Sequence, residues 1–490
     1  MYNPELLFIF FSFFIAAIIC LLSKNRAVIE ASSIIASFVA LVGSVMIALQ
    51  VAHSGEYAPF SLFSVDALGA IVMLIIAFVG ITAALYSVKY LQQETAEHII
   101  GSSGVTHLHS RVREYFILFN LFMATMFLAI TVSSPIFAWI CIEATTLSSA
   151  FLISFYNKPS ATEGAWKYLI INSVGILLGF FGTLLYFSSA NSFISNGLVT
   201  WHLLLANITS LDPLIIKVAF IFVFIGYGTK VGFVPMHTWK PDAYSKTPAP
   251  IGALFSGALL PVAFAVILKF KMITDAAVGP SFSQNLFIIF GLLSVAVASA
   301  IIFVSANYKR LLAYSSIENA GMMALGFGFG GIGIFAAMLH MIYHSFIKSA
   351  LFFLSGNLLL KYHSTKIAMV RGIINVIPAT AALFLAGFLI VTGAPPFGIF
   401  FTKIFILSAG IKQYPLVVIA IIVCMTILFI GFLKHTTAMV FGPAPDGIKK
   451  QQENIWLLLP PLALIILALC LSFYIPPFLR TLINYVTMYY

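Results

Sequence analysis

The stretch Gly226-Tyr227-Gly228-Thr229-Lys230-Val231-Gly232-Phe233-Val234-Pro235 puts a lysine inside an apolar segment, beside residues that break a helix. A second stretch, Gly393-Ala394-Pro395-Pro396-Phe397-Gly398 followed by Lys403, does the same. A charge inside a bilayer is costly and rare without a function. An interrupted membrane helix also exposes carbonyls and amides that protein or water must satisfy. Two such breaks, far apart in the chain, point to an ion pathway in a transporter built from repeats. Movement of protons or cations is therefore the first expectation.

Outward from these breaks the chain reads as membrane protein. Of its 490 residues 61% are hydrophobic and 8% charged, against roughly 25% charged in soluble proteins. A crossing helix needs about 20 residues. About fourteen apolar stretches qualify, near 4–22, 28–51, 64–88, 115–132, 135–155, 166–189, 212–234, 248–270, 284–306, 312–331, 333–358, 377–409, 414–438 and 455–477. The expected fold is an all-α polytopic membrane protein with two discontinuous helices. The first stretch lacks a basic start and a small-residue cleavage site, so it reads as a retained helix.

The net charge of +10 belongs to the membrane, not to nucleic acid. With the N-terminus outside, 17 of the 25 Lys and Arg residues fall in inward loops, Lys240, Lys246, Lys309 and Arg310 among them. Only Lys269, Lys271, Lys412 and Arg480 fall outward, and Lys217, Lys230, Lys348 and Lys403 lie within spans. This positive-inside bias sets both termini on the outer side of the cell inner (plasma) membrane. Lys269 and Lys271 are the local exception.

Five spans from 115 to 270 carry the first break in their fourth member, and five from 284 to 438 carry the second in theirs. Five is odd, so the two blocks would be inverted relative to each other, with sites near the bilayer midplane. The expected organisation is a three-helix segment at 1–113, five-helix repeats at 114–273 and 274–441, and a C-terminal helix and tail at 442–490. The four cysteines are scattered through apolar spans without a CxxC pair. Neither a metal nor any other cofactor is expected on this chain. His98, His107 and His109 in the longest loop read as solvated histidines, and the loop bearing Trp201 and His202 as outer interface.

Glu143 lies mid-span beside Thr145, Thr146, Ser148 and Ser149. A buried carboxylate binds a cation or takes up a proton; the structural alternative is a fixed salt bridge. Lys230 precedes its break, and a pair with Glu143 would act as a switch, the lysine holding its proton only while the glutamate is near. His340, His344 and Lys348 recur every four residues on one helical face. Histidine passes protons near neutral pH; the alternative is a packed polar seam. Lys403 lies too deep in its span for snorkelling, which suits Lys217 better. His237 stands beside the first break. Glu30, Asp66 and Glu318 sit near span ends and remain ambiguous.

The runs Tyr227-Gly228-Thr229-Lys230-Val231-Gly232, Pro235-Met236-His237-Thr238-Trp239 and Pro241-Asp242-Ala243 resemble the signature of antiporter-like subunits. These occur in respiratory complex I, multi-subunit Na+/H+ antiporters and membrane-bound hydrogenases. Arg310 through Glu318 and the His340/His344/Lys348 run resemble the same family. Glu143-Ala144-Thr145-Thr146-Leu147, Trp166-Lys167-Tyr168, Ser355-Gly356-Asn357 and Phe441-Gly442-Pro443-Ala444-Pro445 resemble its hydrogenase-4 component F branch. The resemblance implies 14 helices, a Glu143–Lys230 ion pair, a relay through Lys348 and the histidines, and Lys403 in the exit half. Pro261 stands where members carry a basic residue, so water, Ser256 or Lys269 would link the halves. Asn319 stands where a histidine is common, removing one protonatable step.

Together these readings make the chain a proton-translocating subunit of a redox-driven complex, of hydrogenase-4 or NADH:quinone oxidoreductase type, with no redox centre or catalytic residue of its own. Its expected partners are other membrane subunits, a peripheral redox module and the lipid bilayer. The rivals are a subunit of a cation/H+ antiporter or inorganic-carbon uptake complex, and a membrane anchor without transport.

Overall fold

The computed structural model describes the backbone of residues 4–96, 105–190 and 198–490, and their side chains except at 95, 96 and 105–109. Three helices come first: α1 (Glu5–Leu22), α2 (Arg26–Ser54) and α3 (Ala67–Ala96). A small antiparallel hairpin of β1 (Tyr57–Phe60) and β2 (Phe63–Val65) precedes α3. The next group is α4 (Val105–Thr131), α5 (Pro135–Ile153), α6 (Pro159–Ser189), α7 (Trp201–Ala206), α8 (Pro213–Val231), α9 (Trp239–Lys246), α10 (Ala249–Leu254) and α11 (Leu260–Val278). Then follow α12 (Pro280–Val304), α13 (Tyr308–Phe329), α14 (Ile332–Tyr362), α15 (Ile373–Val376), α16 (Pro378–Thr392), α17 (Gly398–Gly410), α18 (Pro415–Phe441), α19 (Ile455–Phe473) and α20 (Pro477–Tyr489).

Among the described residues, twelve helices are long and apolar enough to cross a membrane, counting α10–α11 as one. Adding α13 and the short α16–α17 pair accounts for every crossing stretch expected from the sequence. The residues expected to form the two five-helix blocks span α4–α11 and α12–α18, and in each the fourth expected crossing is interrupted, after α8 and between α16 and α17. A π-helical turn over Phe255–Leu259 joins α10 to α11. It falls just before Pro261, which lacks an amide hydrogen and crowds the preceding turn; a wider turn absorbs both defects.

Burial sorts the helices into centre and rim. The most apolar stretches of α10–α11 and α14 are wholly buried, whereas 28% of that of α18 is. In α13 every residue except Arg310 is buried. These central helices carry no lipid-facing side, so each polar group on them must find a partner inside the protein. At the rim, α6 and α8 meet through glycines. A Cβ on Gly226 would lie 2.3 Å from the Gly179 amide nitrogen, and one on Gly182 would lie 2.7 Å from the Ala219 carbonyl. Backbones this close gain van der Waals contact that larger side chains would forbid.

Four expectations change here. Lys240 and Lys309, read as loop charges, are 0% and 1% exposed. Lys269 and Lys271, the exceptions to the charge rule, are also buried: Lys269 lies 3.7 Å from Asp66, and Lys271 pairs with Asp275. Trp201 is buried and donates its indole N–H to the Val132 carbonyl at 3.2 Å, so it is no interface anchor. Residues 477–489, read as a tail, form α20, whose Leu479, Leu482, Ile483 and Val486 pack inward at helical spacing. His98, His107 and His109 lie outside the residues whose side chains are described.

Gly226→Val should wedge α6 from α8 and cost about 1–3 kcal/mol, read as a lowered melting temperature in detergent. Leu177→Ala, on a side chain 60% exposed, should leave the melting temperature unchanged. Equal effects would refute the close-packing account.

A buried chain of ionisable residues as the candidate site

The first break begins where α8 reaches Gly232, whose φ of +85° suits glycine alone. A helix end leaves its last carbonyls unpaired. Here the next segment turns back and pairs them. The Trp239 indole donates to the Thr229 carbonyl at 2.8 Å, and the Lys240 ammonium to the Val231 carbonyl at 2.7 Å. The Val234 amide donates to Ser294 Oγ at 3.1 Å, which ties the break to α12.

The second break has the same plan. Gly393 follows α16 with a φ of +87°, and the Lys403 ammonium donates to the Thr392 carbonyl at 3.4 Å. The Gly398 amide donates to Ser472 Oγ on α19 at 2.8 Å.

Around the first break, Lys230 is 1% exposed and Glu143 is half-buried. They do not touch. The lysine donates to Thr146 Oγ1 at 2.8 Å and to the Tyr168 hydroxyl at 2.7 Å. Thr146 in turn donates to Glu143 Oε2 at 3.2 Å, and Ser173 donates to Glu143 Oε1 at 2.8 Å. The expected ion pair is thus a bridge: ammonium, hydroxyl, carboxylate. The reason is helical register. Thr146 lies three residues after Glu143 on the same face and occupies the space between the charges.

Around the second break the pair is direct. Lys403 and Glu318 meet at 2.9 Å with side chains 3% and 1% exposed. Glu318 is eleven residues into α13, not near a span end as the sequence suggested. The missed signal was the helix start: Asn307 caps α13 by accepting from the Lys309 and Arg310 amides, which places Glu318 at mid-helix. Asn319 keeps the chain continuous. Its amide donates to Glu318 Oε2 at 2.6 Å, and its carbonyl oxygen lies 2.9 Å from His340 Nε2. His340 Nδ1 sits 2.8 Å from Thr402 Oγ1, one residue before Lys403. A loop of side chains, Lys403–Glu318–Asn319–His340–Thr402, therefore closes in the protein interior.

Between the two ends lie His344 and Lys348, both 0% exposed. Lys348 donates to the Leu312 carbonyl of α13, and His344 lies beside the Ser256 backbone without a well-formed hydrogen bond on either ring nitrogen. Ser256 of the π turn meets Ser316 of α13 at 2.7 Å. Lys269 points away from this centre, to Asp66 and the Ile130 carbonyl, so it does not link the halves. His237 is 9% exposed, and its ring stands beside that of Tyr314 at 6.0 Å between centroids. Among the described residues no cluster of three His, Cys, Asp or Glu is arranged to hold a metal ion.

The structure thus gathers Lys230, His340, His344, Lys348 and Lys403 into the buried interior, with Glu143 at its edge and His237 beside the first break. Its chemistry suits charge transfer: groups that gain or lose a proton, separated by hydroxyls and amides that relay one, in surroundings where an unpaired charge is costly.

Comparison with known proteins gives this geometry a family. The chain is 33% identical over 444 residues to the hydrogenase-4 component F homolog of Methylacidiphilum infernorum, covering 90% of each. Its fold matches a chain in the membrane-bound sulfane sulfur reductase, an archaeal respiratory membrane complex, with a TM-score of 0.85 at 20% identity over 99% of this chain and 96% of that one. A chain of the Mrp complex from Dietzia matches with a TM-score of 0.83 at 18% identity over the same shares. Residues 132–429, from the start of α5 into α18, match one family, and the chain belongs to it: the NADH:quinone oxidoreductase/Mrp antiporter transmembrane family.

Proposed function

We propose that this chain moves protons through the membrane as the antiporter-like subunit of a redox-driven complex, of the hydrogenase-4 or NADH:quinone oxidoreductase kind. The observation that carries the reading is the buried Glu318–Lys403 pair and its continuation through Asn319 to His340. Breaking a buried pair is expensive because it strands a charge. A pair that does part, driven by events in a partner, therefore forces a proton on or off its neighbours.

In this reading Glu143, Lys230, His237, His340, His344, Lys348 and Lys403 form the pathway, joined by Glu318. Thr146 is the switch point of the first block: when its hydroxyl swings from Glu143, the lysine loses the carboxylate that favours its charged form. His344, within electrostatic reach of Lys348 and beside the Ser256 backbone, accepts a proton from Lys348. Blocks at 114–273 and 274–441 supply one half-channel each, with 1–113 and 442–490 packed around them.

The energy would come from a peripheral redox module on other subunits. The positive-inside bias supports a place in the cell inner (plasma) membrane with both termini outward. The hydrogenase-4 component F relative favours the redox-driven reading over stand-alone antiport.

Purification of the tagged chain in mild detergent should bring down other membrane subunits together with redox subunits. Recovery of small membrane subunits alone would overturn the redox part. In the reconstituted complex Lys230→Ala should lower proton translocation by on the order of 10²-fold, the scale of a lost proton-transfer group. Wild-type pumping in that variant would overturn the pathway. Thr146→Val, which keeps shape and removes the bridge, should slow pumping while leaving assembly intact. Glu318→Gln or Lys403→Met alone should destabilise the protein by about 3–5 kcal/mol. The double variant should cost less than their sum in thermal melts, and strict additivity would mean the pair is not coupled.

A further inference from the structure

Lys240 is a fully buried lysine for which the described residues supply no counter-ion. Among the described residues no carboxylate lies within ion-pair distance of it. The nearest acid in sequence, Asp242, is engaged by Lys167 at 3.2 Å and Arg310 at 3.4 Å. The Lys240 ammonium has the Val231 carbonyl at 2.7 Å and the face of Tyr244, whose centroid is 5.5 Å away.

Its position repeats that of Lys403. In each break a helix ends at a left-handed glycine, Gly232 or Gly393, and a lysine from the following helix folds back over it. In each the ammonium donates to the carbonyl just before that glycine, Val231 or Thr392. A Cβ on Gly232 would come 2.7 Å from Lys240 Cδ, and one on Gly393 would come 3.2 Å from Lys403 Cδ. Lys403 has Glu318 as counter-ion, and Lys240 has none among the described residues. The ionisable groups that face Lys240 are cationic or neutral. Its charge acts on His237, on His344 and on Lys348, each within electrostatic reach.

We propose that Lys240 is a proton-carrying residue of the axis, the first block's counterpart of Lys403, placed between Lys230 and the His344–Lys348 pair. This rests on the proton-pathway reading above and adds a proton-carrying group at the junction between the two halves, where Ser256 meets Ser316 and which Lys269 does not reach. The lysine takes up one proton from the Lys230 side and becomes ammonium. It passes that proton toward His344 or Lys348 and returns to the amine. A buried ammonium beside other cations favours the neutral form, so the proton rests there briefly and moves on. The carbonyl of Val231 holds the side chain in place in either state.

The test is proton translocation by the assembled complex reconstituted in vesicles, read with a pH-sensitive dye for Lys240→Met, Lys240→Arg, Lys240→His and, alongside them, Lys230→Ala. Assembly yield is measured for each. Met and Arg should both lose tenfold or more: one carries no proton and the other cannot release one. His should retain part of the activity, with its optimum moved to lower pH. A lysine that only caps α8 would be replaced by Arg without loss, so near wild-type pumping by an assembled Lys240→Arg complex overturns the proposal. If Met and Arg fail to assemble, an unshifted pH profile for His overturns it. Loss of pumping in Lys230→Ala with full pumping in Lys240→Arg sinks this inference alone. Full pumping in both removes the pathway reading as well.

Discussion

A carbonyl freed inside hydrocarbon must find a donor, and the rest of this structure depends on how the two breaks meet that demand. Both use a lysine that doubles back over a left-handed glycine to the last helical carbonyl. The solution to a backbone problem thereby brings a positive charge into the protein interior. Glycine at the cap leaves room for the lysine stem, and the surrounding helices must then be polar enough to receive its head. The same local fold that ends a helix creates the electrostatics of the site.

The two blocks answer that charge differently. In the second, Glu318 sits against Lys403 and is tied through Asn319 to His340. In the first, the carboxylate of Glu143 is held one hydroxyl away from Lys230 by Thr146. A direct pair is stiff, since parting it leaves two buried charges. A pair bridged by a hydroxyl is softer, because one rotamer change breaks it. In the proposed pathway this difference makes the first block the place where a partner's motion is most readily felt.

The central helices explain how so many polar groups are tolerated. α13 and α14 are buried on all sides, so His340, Asn319, Glu318 and Lys348 partner one another or backbone rather than lipid. Glycine contacts between α6 and α8 hold the first break close to its partners. The π turn before Pro261 brings Ser256 to Ser316 in the same region. Packing and site are thus parts of one arrangement.

Much of this was legible in the residues. Apolar run lengths marked where the long membrane helices lie, because the bilayer imposes a minimum length that sequence displays directly. Helix breakers beside lysines marked both breaks, and charges too deep to snorkel marked Glu143, Lys230, Lys348 and Lys403. The amphipathic spacing of α20 is equally visible in Leu479, Leu482, Ile483 and Val486. What only the tertiary structure decided was partnership. Whether Lys230 meets Glu143 directly or through Thr146 depends on how α8 is rotated against α5, by a fraction of a turn. Whether Glu318 lies at an end or at the centre depends on where Asn307 caps its helix. Lys240 looked like a loop charge because its burial comes entirely from a chain that turns back after a break. Periodicity and hydropathy describe one segment at a time, whereas ion pairs and burial arise between segments distant in sequence.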